Sequence, residues 1–131
     1  MFVTLLFLVF FEKIFPSLLK LTYGNLANAY FALLDDARAI EASDKAIALI
    51  ESPAQPSDAK YFYRRAVARA RQQVSLSGIK DFSGALKDIV KAHKLNPTDS
   101  SIVSALGELK AKHTASRKSQ ANLFSRSLQS T

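Results

Sequence analysis

The chain has 131 residues, of which 48% are apolar and 22% charged, the composition of one small globular domain. It contains no cysteine, which excludes disulfides, thiolate catalysis and cysteine-ligated zinc. The formal net charge of +7 favours an acidic partner, whether an acidic peptide, a membrane surface or a nucleic acid.

The first predicted element is an apolar segment, residues 1–20. Phe2 to Phe11 is an unbroken, almost wholly apolar run, and Glu12, Lys13 and Pro16 then interrupt it. A membrane-spanning helix needs about 20 apolar residues, and a signal peptide needs a basic start and a small-residue cleavage site, neither of which is found. The segment is expected to be helical. It is either a packing helix, a membrane anchor or uncleaved signal, or the product of a truncated or misassembled chain.

Apolar residues at helical spacing, separated by turn residues, predict five further helices. Asp35 or Asp36 is expected to cap the second of them. Two prolines and two serines make residues 52–57 a loop, and Ser75, Ser77 and Gly78 mark a long turn within residues 72–81. The predicted helices are Thr22 to Leu34, Ala37 to Ile50, Asp58 to Arg71, Phe82 to Lys94, and one that begins near Asp99.

Small residues recur with the same spacing in the second and fourth of these helices. Ala39 and Ala46 are seven residues apart, and so are Ala85 and Ala92. This is the pattern of the tetratricopeptide repeat (TPR), in which small residues allow two antiparallel helices to approach closely. The residues expected to be buried between helices are Leu26, Tyr30, Ala39, Ala46, Ala66, Phe82, Ala85 and Ala92.

The expected fold is therefore all-α. Residues 21–114 form two TPR helix-turn-helix repeats in an α-α superhelix, and residues 115–131 form a polar basic tail. Ile102, Ala105, Leu106 and Leu109 share one face of the fifth helix, which is expected to be the C-terminal capping helix that covers the last repeat.

Short motifs give a closer resemblance over roughly Leu21 to Leu109. They are Asn25-Leu26-Ala27, Asp44-Lys45-Ala46, Lys60-x-x-Tyr63-Arg64-Arg65-Ala66, Asp81-Phe82, Ala85-Leu86-Lys87-Asp88 and Leu95-Asn96-Pro97. The chain resembles the last two TPRs of the large immunophilins, which are FK506-binding and cyclophilin-type peptidyl-prolyl isomerases that act as co-chaperones. Ala121-Asn122-Leu123-Phe124 is similar to a short motif that ends many of them.

This resemblance implies a carboxylate clamp, in which Asn, Lys and Arg side chains hold the acidic end of a heat-shock chaperone tail, Glu-Glu-Val-Asp. The spacing of the residues supports such a site independently. At about 100° per residue, Lys60, Arg64 and Arg71 fall on one stripe of the third helix and form an anion site. Arg65 and Arg69 project to the opposite side and are expected to be either solvated or charges on the convex face.

Two amides complete the predicted clamp. Asn25 occupies the repeat position equivalent to Arg64, and Asn28 lies one turn further on. The other Lys and Asn of the family's clamp belong to an earlier repeat, and Met1 to Lys20 has neither at matching positions, so weak peptide binding is expected. The alternatives are a solvated basic helix and an ordinary polar role for Asn25.

No catalytic constellation is found in the sequence. His93 and His113 lack a nearby nucleophile, and Asp35-Asp36 cannot act as an acid/base couple because adjacent helical residues do not face each other. There is no glycine-rich phosphate loop and no metal-ligand spacing. We therefore expect a non-enzymatic protein without cofactor or metal, since the isomerase domain of the relatives would precede the repeats.

The expected function is that of a cytoplasmic adaptor for an acidic chaperone tail. The main alternative is a membrane-attached scaffold, with Phe2 to Phe11 as its anchor. Nucleic-acid binding is the third class and is not expected, because no RNA-recognition or DNA-binding signature accompanies the positive charge.

Overall fold

The computed structural model describes residues 1–72 and 80–130, which are helical and contain no strand. The predicted all-α class is confirmed. The predicted turn at Ser75, Ser77 and Gly78 lies outside the described residues. The helices are α1 (Phe2–Lys13), α2 (Phe15–Ala32), α3 (Asp36–Ala48), a 3-10 turn (Pro56–Asp58), α4 (Ala59–Gln72), α5 (Ser83–Leu95) and α6 (Ser100–Gln129).

Helix boundaries follow local chemistry. Asp35 caps α3, and its Oδ1 accepts a hydrogen bond of 3.2 Å from the backbone N–H of Arg38, as predicted. Asp99 caps α6 in the same way, through the N–H groups of Ser101 and Ile102. Helix α2 begins earlier than predicted, because Pro16 lies in its first turn, where a missing N–H costs nothing.

Successive helices pack against one another from α2 to α6. Each contacts the next, and α4 also contacts both α2 and α6. The 3-residue connection 33–35 makes α2 and α3 one hairpin, and α4 and α5 pair in the same manner. The helices α2, α4 and α6 consequently form one layer, with α3 and α5 packed against it.

The core consists of small side chains between helices and of larger side chains, several of which form one cluster with Ile102 and Leu109 of α6. Ala39, Ala46, Ala66, Ala85 and Ala92 are completely buried, as predicted. The larger core residues, also buried, are Tyr61, Phe62, Phe82, Ile89, Ile102 and Leu109. Burial of the alanines shows that the small-residue spacing allows close helix approach.

The predicted burial of Leu26 is wrong. Its side chain is 42% exposed, and Tyr30 is only partly buried. Both lie in a shallow cleft between α2 and α3, together with Tyr23 and Arg38. Helix α1 extends away from α2 and does not fold back over this cleft, so nothing in the described chain covers it.

Helix α1 projects from the helical body. It has no buried residue, so the packing role predicted as one alternative for residues 1–20 is not observed over Phe2–Lys13, whereas Lys20 pairs with Asp58 of the body. Ile14 is in the right-handed helical region, so α1 and α2 form a nearly continuous helical stretch. By length and composition, Phe2–Ala32 is the one stretch of the described residues that could cross a membrane.

Helix α6 packs against the body in its first half, and the side chains of its second half are exposed. Ile102 and Leu109 are buried against the body, as expected of a capping helix, and Ser116 is its last buried residue. The helix then continues to Gln129 with its side chains exposed, so most of the predicted polar tail is helical. Residues 110–130 contain five lysines and arginines and no acidic residue.

Candidate anion-binding site

Arg64 is the central residue of the candidate site. Its Nη1 donates a hydrogen bond of 3.0 Å to the backbone carbonyl oxygen of Gly24, which links α4 to α2. Within residues 1–72 and 80–130, no carboxylate lies within ion-pair distance of the guanidinium. Partial burial accordingly lowers the pKa of Arg64. The side chain is a partly desolvated cation without an anionic partner among the described residues.

The side-chain ring of Tyr61 on α4 packs directly against α2 at Gly24. A Cβ atom placed on Gly24 would overlap Cε1 of Tyr61, so the absence of a side chain at residue 24 permits the contact. The ring of Tyr61 is buried, and this burial raises the pKa of its hydroxyl group. The close contact holds Arg64 beside the exposed surface of α2.

Lys60 lies one helical turn before Arg64 and is exposed. Its ammonium nitrogen is 5.2 Å from the centroid of the Tyr61 ring, and it forms no ion pair with any described residue. Lysine four residues before arginine places both cations on one side of α4, as the spacing predicted.

Asn25 and Asn28 lie on the neighbouring surface of α2, and both are exposed. Asn25 directly follows Gly24, the residue whose carbonyl group Arg64 contacts. Neither amide has a hydrogen-bond partner in the described part of the chain. The two amides and two cations therefore offer unused hydrogen-bond donors on adjacent helices.

Arg71, the third predicted cation, has internal partners. Its Nη1 lies 3.1 Å from Oδ1 of Asp36, and its guanidinium stacks 4.3 Å from the centroid of the Phe31 ring. The charge of Arg71 is therefore already neutralised, and an external ligand would have to compete with Asp36.

The expectation that Arg65 and Arg69 are solvated is wrong. Both pair with Asp88, whose side chain is only 5% exposed: Nη2 of Arg65 lies 2.7 Å from Oδ1, and Nη1 of Arg69 lies 2.8 Å from Oδ2. Arg65 also reaches Asp44 in α3, at 2.6 Å. Burial opposes the charge of Arg65, but hydrogen bonds to Asp88 and Asp44 outweigh it and raise its pKa. These arginines join helices.

Lys20 belongs to another internal pair that sequence reasoning missed. Its ammonium group lies 2.9 Å from Oδ1 of Asp58, which is buried and also accepts a hydrogen bond from the backbone N–H of Gln55. The capping box formed by Gln55 and Asp58 is the sequence signal that could have identified Asp58 as a structural residue, although it does not point to Lys20. Lys20 neutralises Asp58, so this carboxylate does not offset the charges of Lys60 and Arg64. The surface around these two residues therefore keeps an excess of positive charge.

A cleft lies further along α4, and Arg71 is the predicted clamp residue that lines it. Its volume is about 260 Å³, and it lies between the C-terminal half of α4 and the packed half of α6. Its lining contains three cationic side chains and one acidic side chain among apolar ones. The lining residues are Val67, Ala70, Arg71, Lys80, Ala105, Glu108, Leu109 and Lys112.

The arrangement suits an anion whose oxygens accept several hydrogen bonds. Arginine offers five N–H donors in a planar fork, of which the Gly24 carbonyl takes one, and ammonium and amide groups add further donors. Over the described ranges, no group of three or more His, Asp or Glu side chains could hold a metal ion. His93 and His113 are partly buried on α5 and α6 and lie apart from this surface.

The chain was compared with known proteins in three ways. Protein-family models, curated proteins and solved structures gave no match.

Proposed function

We propose that the helical body is a TPR-like adaptor that binds the acidic C-terminal end of a partner protein. The observation that carries this proposal is the state of Arg64, the partly buried cation on α4 that has no carboxylate partner among the described residues. Arg65, Arg69 and Arg71 on the same helix all have such a partner.

The contrast among the arginines has a simple energetic meaning. A partly desolvated charge is costly unless an opposite charge compensates it. Asp88 and Asp36 compensate the neighbouring arginines, whereas the partner of Arg64 within residues 1–72 and 80–130 is the neutral carbonyl of Gly24. A bound carboxylate would supply the missing charge, and charge-assisted hydrogen bonds are the stronger kind.

In the proposed complex, Lys60 and Arg64 hold the carboxylates of a peptide ending in Glu-Glu-Val-Asp. Asn25 and Asn28 bond its terminal backbone, and Arg71 contributes only by exchanging Asp36 for the ligand. The preceding residues of the peptide would run along the cleft between α4 and α6. A heat-shock chaperone tail is the partner that the resemblance to the immunophilins implies.

The helix arrangement supports the repeat assignment. Two hairpins, α2–α3 and α4–α5, follow one another, and buried alanines seven residues apart occupy the second helix of each. Stacked hairpins of this kind produce a groove lined by the first helices, here α2, α4 and α6. On this reading the helical body is similar to the repeat region of the isomerase co-chaperones, and its proposed role is peptide binding.

The expected affinity is weak, with a Kd of about tens of micromolar or poorer. The clamp lacks the lysine and asparagine of an earlier repeat, and each missing charge-assisted hydrogen bond removes about 1.5 to 3 kcal/mol. Salt should weaken binding further, because exposed charges are screened over about 8 Å at physiological ionic strength.

Calorimetric titration with the peptide Met-Glu-Glu-Val-Asp, carrying either a free or an amidated C-terminus, tests the proposal. We expect the free-carboxylate peptide to bind and its affinity to fall with added salt, whereas the amidated peptide binds at least about tenfold more weakly. Equal affinity for the two peptides, or binding of neither, would overturn the proposed function.

A further inference from the structure

We propose that α1 inserts into the hydrocarbon core of a lipid bilayer and attaches the helical body to a membrane. This role goes beyond peptide binding and does not depend on it. The starting observation is that every residue from Phe2 to Phe11 is exposed, from 80% for Phe2 to 46% for Val9, although nearly all of these side chains are apolar.

The distribution of these side chains identifies the medium that covers them. A helix turns by about 100° per residue, so ten consecutive residues surround the whole circumference of α1 almost three times. A groove on a protein, or one partner helix, covers a single face and would leave the others in water. Lipid acyl chains surround a helix on every side, which matches the distribution.

The length of the helical stretch also fits the thickness of a lipid bilayer. From Phe2 to Leu19, before Lys20, the helical stretch rises about 27 Å, close to the thickness of the hydrocarbon core, with Glu12 and Lys13 near its middle. Its most apolar 18-residue window has a mean hydropathy of 2.0 and no buried residue. Ile14 keeps the helical conformation between α1 and α2, so the two helices enter the bilayer as one nearly continuous helical stretch.

Glu12 and Lys13 limit how deep the helix can be placed. A charged side chain is far more costly at the centre of a bilayer than near its surface. Phe2 to Phe11 is free of charge and lies in hydrocarbon whether the helix crosses the bilayer or ends within it. Lys20, paired with Asp58, marks the point at which the helix joins the body outside.

Self-association is the competing way to cover α1. Within the chain, Phe11 stacks on Phe15 with centroids 4.8 Å apart, and Phe7 lies 5.8 Å from Phe11, but these contacts leave the outer faces of the rings exposed. A pair of copies would bury one face of each helix, so only a larger bundle could cover all of them.

The absence of tryptophan from the chain allows a direct test. The full chain is made by cell-free synthesis with phosphatidylcholine vesicles, carrying Phe7→Trp or, as a matched control on exposed α6, Phe124→Trp. We expect both proteins to float with the vesicles after carbonate washing. Trp fluorescence should be shifted to the blue and quenched by acyl-chain-brominated lipid several-fold more strongly at residue 7 than at residue 124.

A charge-insertion pair completes the experiment. Leu6→Lys with Phe10→Lys should abolish flotation, because two charges enter the hydrocarbon, whereas Leu123→Lys with Phe124→Lys on α6 should leave flotation intact. Failure of the unsubstituted chain to float would overturn the proposal. So would a blue-shifted residue-7 signal that brominated lipid does not quench, since that result indicates a bundle of α1 helices.

Discussion

Arg65 and Asp88 form a two-point ion pair that joins α4 to α5. Nε and Nη2 of Arg65 lie 2.9 Å and 2.7 Å from the two carboxylate oxygens of Asp88. Arg69 binds the same carboxylate, and Arg65 also reaches Asp44, so one buried acid organises cations that connect α3, α4 and α5.

The first prediction is that Asp88→Ala destabilises the fold strongly. The substitution leaves two partly buried guanidinium groups near one another without their shared anion, and removing one partner of a buried pair costs about 3 to 5 kcal/mol. Urea unfolding followed by circular dichroism measures the loss. The control is Glu41→Ala, which breaks an exposed pair with Lys45 and should cost less than about 1 kcal/mol. Similar losses in the two variants would contradict the assigned role of Asp88.

The second prediction compares two glycines within helices. Gly24→Ala should lower the free energy of unfolding by about 1 to 3 kcal/mol, because its Cβ would overlap the buried Tyr61 ring. A Cβ atom at residue 107 would meet no atom within 4 Å, so Gly107→Ala should raise the free energy of unfolding by up to about 1 kcal/mol through helix propensity. Thermal unfolding of both variants is the check, and a stabilised Gly24→Ala variant would contradict the close contact of α2 with α4.

Sequence spacing predicted the part of the fold that depends on local pattern. The seven-residue spacing of Ala39 and Ala46, repeated at Ala85 and Ala92, identified the buried faces of α3 and α5. Helix capping by Asp35 was equally predictable, because the cap and its partner are three residues apart. Such features need no knowledge of how the helices are placed in space.

Features that depend on contacts between distant residues were not predicted. Periodicity gave the direction of Arg65 on α4 but not the position of Asp88, which α5 brings beneath it. For the same reason the pairing of Arg71 with Asp36 and of Lys20 with Asp58 was missed. The exposure of Leu26 depends on α1 projecting outward, which the repeat pattern alone does not specify.

The third prediction concerns the small residues between helices. Ala46→Leu or Ala92→Leu should cost about 1 to 3 kcal/mol, because each alanine is completely buried and a larger side chain forces the helices apart. Ala48→Leu, at an exposed position of α3, is the matched control and should change stability little. Chemical denaturation distinguishes them. Tolerance of leucine at residues 46 and 92 would argue against close helix packing there.

The fourth prediction is a loss of stability at alkaline pH. Burial raises the pKa of Tyr61 above its unfolded value near 10, so the unfolded chain releases this proton first as the pH increases. The contribution is complete below pH 10 and is lost as the pH rises from there through the folded pKa. Denaturation at pH 8 to 11 should show a shallower decline for Tyr61→Phe than for the unsubstituted chain. Parallel declines would remove Tyr61 as the cause.

The central claim is that Lys60 and Arg64 recognise a carboxylate, and a double-mutant cycle tests it most directly. Free-carboxylate and amidated forms of Met-Glu-Glu-Val-Asp are titrated against the unsubstituted chain, Lys60→Ala, Arg64→Gln and the control Lys87→Ala, an exposed lysine on α5. Unfolding measurements on Arg64→Gln separate loss of the Gly24 contact from loss of binding.

In that titration, amidation should weaken binding about tenfold or more for the unsubstituted chain and for Lys87→Ala. The effect of amidation should shrink in Lys60→Ala and Arg64→Gln, because the groups that contact the carboxylate are then absent. An equal effect of amidation in all four proteins, or no binding by the unsubstituted chain, would contradict the account.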